Sequence, residues 1–188
     1  TFFEDELLSK YNIKSFLLDG TVDYKGIHHF CKKNLDTSNS PNTTTLESWL
    51  SKFPEIKNNK NLLLQMDIEG GEIEVLLNTD LDILRKFKII IIEFHNFNDL
   101  HNDVVMDLYI KIFKKLLKKF TVFHVHPNNK GGKKIYNNIE LPNVLEITFI
   151  NNEEVKIKRK IDYELPHYLD VKNFNDLKDI KLPKCFYQ

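Results

Sequence analysis

The chain has 188 residues, enough for one domain with a core of its own. Its 27 basic and 27 acidic residues cancel, which removes the basic excess that nucleic acid or an acidic membrane attracts, so neither is expected as a partner. No apolar run approaches the roughly 20 residues of a membrane span, no leader peptide is visible, and Cys31 and Cys185 fit no metal or redox spacing, so the expectation is a soluble cytoplasmic protein with two plain thiols.

"TFFEDELLSKY" opens as a helix, with Thr1 and Glu4 at capping-box spacing and Phe2, Phe3, Leu7 and Leu8 on one apolar face. A cap at the very first residue predicts a chain cut from something longer. Residues 13–19, "IKSFLLD", read as a short buried strand ending in Asp19, and "GIHHFCKKN" as a weaker one. After the polar loop 36–42, Thr44 and Glu47 repeat the capping spacing before a helix with Leu46, Trp49, Leu50 and Phe53 on one side. Residues 62–67, "LLLQMD", form a strand, and the glycines behind it open a helix over 71–84. "KIIIIEFH" (88–95) is the clearest strand, β-branched and expected to be buried on both faces.

A helix over 100–119 follows, with Leu100, Val104, Leu108, Ile112 and Leu116 recurring every four residues. Asp99, Asp103 and Asp107 near its start and Lys114, Lys115, Lys118 and Lys119 near its end complement the helix dipole, so the lysines read as a solvated helix end. "FTVFHVH" (120–126) and "VLEITFIN" (144–151) are strands separated by the turn-rich "NNKGGKK". Apolar strands alternating with amphipathic helices predict a single α/β domain: a mostly parallel, Rossmann-like sheet with helices on both faces over 1–155, and an irregular tail over 156–188.

In such sheets ligands bind beyond the carboxyl ends of the strands. There the sequence places Asp19, then Asp67 and Glu69, then Glu93 and His95, then His124 and His126 with Asn128 and Asn129. Four decorated strand ends along one edge predict a polar crevice, with the Gly-Gly pair turning the chain sharply into its helix. Bland readings compete. Asp67 and Glu69 at a helix start are as well explained as caps. His124 and His126 point the same way but are more often ordinary hydrogen-bonded histidines than ligands. His28 and His29 point oppositely, His101 and His167 read as surface residues, and Glu72 and Glu74 as solvent-facing helix positions.

"MDIEGGEIEVL" resembles the signature of the FkbM-type methyltransferases, a strand followed by D-x-E-G-x-E-x-x-V-L. "FLLDGTVD", "TTTLESWL", "IIIIEFH", "HVHPNN", "LPNVLEITFI" and "LDVKNFNDLKDIKL" resemble further segments of the family in the same order, so the similarity runs through nearly the whole chain. The resemblance implies a class I methyltransferase fold that uses S-adenosylmethionine and methylates a hydroxyl of a sugar or other small metabolite. It implies Asp19, Asp67, Glu69 and Gly70 at the cofactor. For catalysis it points to Asp67, Glu69, Glu93, His95 and His126, with the choice of base among Glu69, Glu93, His95 and His126 left open. A metal-free site is expected in preference to a divalent ion on Asp67, Glu69 and a histidine. The family's first strand and glycine-rich loop have no counterpart here, which predicts a missing central strand and part of the cofactor cradle. Two other readings stand beside this one: a non-catalytic interaction domain of the same fold, and a metal-dependent hydrolase on the Asp, Glu and His cluster.

Overall fold

The computed structural model describes residues 2–57, 59–156 and 164–186, so the cap expected of Thr1 and the Cys185 side chain lie outside the described residues. In chain order the elements are α1 (Phe2–Tyr11), β1 (Phe16–Leu18), β2 (His29–Cys31), β3 (Asn34–Leu35), β4 (Thr43–Thr44), α2 (Leu46–Leu50), α3 (Pro54–Lys57), β5 (Leu62–Met66), α4 (Glu72–Asn78), α5 (Leu81–Leu84) and β6 (Phe87–Phe94). Then come a 3₁₀ turn (Phe97–Asp99), α6 (Asp103–Leu116), β7 (Phe120–Pro127), β8 (Lys133–Tyr136), β9 (Ile139–Pro142), β10 (Leu145–Asn151) and a 3₁₀ turn (Lys184–Phe186).

The main sheet has the order β5-β6-β10-β7. β5 pairs with β6 in parallel, while β10 runs antiparallel to both β6 and β7. The sheet is therefore mixed, not mostly parallel. The cause is the return from β7, which passes through the β8–β9 hairpin instead of a helix, and without a crossover the next strand comes back antiparallel. β1–β2 and β3–β4 are separate parallel pairs. β5, β6 and β7 share one direction, so their carboxyl ends do meet at one edge.

Cross-strand register sorts the side chains. Ile90, Ile92 and Phe94 of β6 lie beside Phe149, Ile147 and Leu145 of β10 on a fully buried face. That face is covered by α4 and α6, with Phe113 against both Phe94 and Phe149, and Tyr109 against Phe94. The opposite face carries Ile89 and Ile91, only half-buried, so the isoleucine strand is not buried on both faces as expected.

Several boundaries differ for local reasons. Thr45, not Thr44, caps α2, accepting from Ser48 N–H. The expected 71–84 helix is two, broken where Asp80 caps α5. α6 starts at an Asn102 cap, and its buried face is Tyr109, Ile112 and Leu116, leaving Val104 68% exposed. Phe2 and Phe3 of α1 are exposed and Leu7 and Leu8 half-buried, so that apolar face is covered only in part. Lys115 is no solvated helix end: its ammonium donates to the carbonyls of Leu76, Leu77 and Thr79 and so caps the C-terminus of α4. The β8–β9 hairpin turns on Asn137 and Asn138, both at positive φ, a two-residue signal that "YNNI" carries in the sequence.

Among the described residues, β1 is paired on one side only, by β2, and β5 on one side only, by β6. Their other edges line a cavity of about 930 Å³, walled by Phe16, Leu18, Leu64, Met66 and Trp49 and bearing Asp19 and Asp67.

Candidate functional site

The turn between β5 and α4 organises the site. Asp67 leaves the strand, Glu69 takes a left-handed conformation at φ 56°, and Gly70 follows at φ 106°. A non-glycine residue at positive φ is strained, and such strain collects at functional turns. Gly70 is needed for its backbone; Gly71 is not, since it caps α4 with a helical φ of −79°. Neither Asp67 nor Glu69 caps the helix, because Gly71 occupies the cap without a side-chain bond.

Glu72 holds the turn instead. It is 1% exposed, not solvent-facing, and its Oε1 accepts from the N–H groups of Ile68 at 3.0 Å and Gly70 at 3.2 Å. The same oxygen lies 3.1 Å from His95 Nδ1. His95 follows β6 and is pinned from behind, where the Tyr109 hydroxyl donates to its carbonyl at 2.8 Å. Asn96 then reverses the chain at φ 59°. The other ring nitrogen, Nε2, faces three carboxylates: Glu69 at 3.4 Å, Asp67 at 3.9 Å and Glu93 at 4.0 Å.

Burial pushes the carboxyls of Asp67 and Glu93 above the usual range. For Glu93 a bond from Asn128 Nδ2 at 3.0 Å partly offsets this. Register places Glu146 of β10 between Glu93 and His126, and burial raises its carboxyl as well, with Glu93 adding to the effect. Glu146 is not among the residues to which the strand ends point. Its signal was present, a lone acid inside an apolar strand, but only the register reveals that it extends the row. Burial holds His126 below the ordinary histidine range, and the charges acting on it are Asp170, His124 and Asp179. His124 Nε2 is 2.8 Å from Asp170 Oδ1, and Asn129 bonds both ways with Phe174 in the tail. Of the expected site residues, Asp67, Glu69, Glu93 and His95 cluster around the turn, and His126 lies across Glu146 from Glu93, where charges of the tail also act on it.

Asp19 ends β1 and belongs to the cavity wall with Asp67. Thr21 donates to its Oδ1 from both N–H and hydroxyl at 2.6 Å, and these bonds hold its carboxyl below the usual range. Glu69 and Gly70 lie off that wall. Among the described residues, Asp67, Glu72 and His95 each bring a ligand atom within 4.8 Å of the others, so these three could hold a metal ion.

A profile of the methyltransferase FkbM domain matches residues 14–120, more than half of the chain. The chain belongs to the FkbM methyltransferase domain family. No curated protein and no solved structure matches it. The match to the FkbM domain takes in Asp19, Asp67, Glu69, Gly70, Glu72, Glu93 and His95 and stops before His126 and Glu146. Among the described residues no helix is long and apolar enough to cross a membrane.

Proposed function

We propose that this FkbM-family chain is an S-adenosylmethionine-dependent O-methyltransferase acting on a hydroxyl of a small, carbohydrate-like metabolite in the cytoplasm. The observation that carries this is the meeting of Asp19 and Asp67, far apart in sequence, on one cavity that adjoins the His95 cluster. The residues present fit the cofactor in part. An ionised Asp19 suits the two hydroxyls of a ribose, the apolar wall suits an adenine ring, and the carboxylates around Asp67 suit a cation. Bound there, S-adenosylmethionine supplies a methyl group on a positively charged sulfur. The chain's own residues align the acceptor hydroxyl and accept its proton, the two demands of an in-line displacement. Among the described residues, the edges of β1 and β5 that line this cavity pair with no other strand.

Calorimetric titration of S-adenosylmethionine and S-adenosylhomocysteine tests this, using this chain and a form extended upstream by one strand and loop. Binding is expected in the extended form and is weakened by Asp19→Asn. Folded proteins of both forms that bind neither ligand would overturn the reading and favour a non-catalytic interaction domain.

A further inference from the structure

Three arrangements stand out: the cavity between β1 and β5, the His124–Asp170 contact to the tail, and the Glu72–His95 pair. The first belongs to the proposed cofactor site and the second ties the tail to β7. The third goes further, because the hydrogen-bond inventory around Glu72 fixes where a proton sits.

Glu72 Oε1 already receives hydrogens from the backbone N–H groups of Ile68 and Gly70, which can only donate. An oxygen held in this way is an acceptor towards His95 as well, so the hydrogen in the 3.1 Å contact lies on Nδ1. In the neutral ring Nε2 then carries a lone pair, and it faces Asp67, Glu69 and Glu93, which also have only acceptor oxygens when ionised. A proton arriving at Nε2 creates a cation among three carboxylates. Among the described residues no carboxylate is bonded to the His126 ring, and the charges acting on it are Asp170 and Asp179 of the tail and His124 of its own strand. The charged and titratable groups facing His95 are Asp67 and Glu69 from the turn, Glu72 from α4 and Glu93 from β6, with Tyr109 of α6 on its carbonyl.

We propose that Glu72 is a positioning residue that locks His95 in the Nδ1–H tautomer and so makes Nε2 of His95 the base for the acceptor hydroxyl. This rests on the methyltransferase reading for its chemistry. The hydroxyl oxygen forms the bond to the methyl carbon with its own electron pair. The carbon–sulfur electron pair leaves with sulfur, and the hydroxyl proton ends on Nε2. Asp67, Glu69 and Glu93 then stabilise the imidazolium.

Nitrogen-15 NMR of the His95 ring in the full chain tests the tautomer without turnover. The wild type is expected to show a protonated Nδ1 and a bare Nε2. Glu72→Gln keeps an acceptor oxygen and is expected to keep that pattern, while Glu72→Ala is expected to move the proton to Nε2. In a form that turns over, Glu72→Ala should lower kcat about 100-fold at nearly constant KM, the scale of one general base, with Glu72→Gln recovering most of it. A wild-type ring protonated on Nε2 overturns the proposal. So does a Glu72→Ala variant with a switched tautomer and normal kcat. Should Glu72→Ala fail to fold, the wild-type and Glu72→Gln spectra still decide the tautomer, and His95→Gln still decides the base. Failure of cofactor binding would instead sink the methyltransferase reading, and the tautomer measurement is blind to it.

Discussion

The two ends of the fold are built to different standards. Every buried hydrophobic residue among the described ones lies between Leu46 and Leu182, and residues 2–45 contribute none. The sheet around β6 is flanked by strands on both sides and covered by α4 and α6 on one face, so Ile90, Ile92, Phe149 and Leu145 vanish from solvent. β1 and β2 form a two-stranded ribbon whose apolar residues, Phe16 and Leu18, remain half-buried against the cavity. A strand buries its side chains only when neighbours close both its edges and its faces, and a lone pair of strands cannot do that. The same opening that weakens the packing near β1 places Asp19 across from Asp67.

The largest expected effect tests that contrast in stability. Phe149→Ala should cost about 3–5 kcal/mol in urea unfolding, whereas Leu17→Ala should cost well under half as much. Equal losses would mean that the β1 region is packed as tightly as the sheet. Next, Lys115→Met leaves three carbonyls at the C-terminal end of α4 without their donor and should cost about 1–3 kcal/mol, although the sequence places it in an exposed lysine cluster. A neutral result would return Lys115 to the solvent. Gly70→Ala forces a side chain into φ 106° and should cost about 1 kcal/mol or more, while Gly71→Ala, with a helical φ and only the Ile68 Cδ1 atom to displace at 3.2 Å, should cost less. Comparing their thermal midpoints separates the glycine the turn requires from its neighbour.

The smallest effect has the opposite sign. Burial raises the Asp67 and Glu93 carboxyls, so the folded chain holds these protons more tightly than the unfolded chain. Their contribution to stability is present at acid pH and is lost as pH rises from the ordinary carboxyl value through the raised one. Asp67→Asn removes that cost, so at neutral pH the variant should be at least as stable as the wild type while losing turnover. The stability difference should shrink below the ordinary value of 3.8. Loss of folding in this variant would give Asp67 a structural role and weaken its place in the site.

The sequence carried much of the site but not its grouping. Asp67, Glu69, Glu93 and His95 were legible because each follows an apolar run that can only be a strand, and strand ends gather ligand groups. His126 meets the same criterion, but its place across Glu146 from Glu93, within reach of the charges of the tail, is not legible in the sequence. Register across β10 and the charges of Asp170 and Asp179 decide that, and neither leaves a local pattern. Glu72 was misread because periodicity alone treats a glutamate in the first turn of a helix as solvated. Its burial comes from the turn folding back over it. Val104 was misread for a related reason: a four-residue spacing drifts around a helix with 3.6 residues per turn, and packing selected Tyr109 instead.

The sequence by itself determined where the strands of the main sheet run, which residues close them, and the family to which the chain belongs. These are local properties, written in apolar runs, turn residues and a contiguous motif. Only the tertiary structure decided that β10 inserts antiparallel between β6 and β7, that β1 and β5 face each other across a cavity, and that a buried Glu72 grips His95. Those depend on strand order, edge pairing and burial, which are set by contacts between residues distant in the chain.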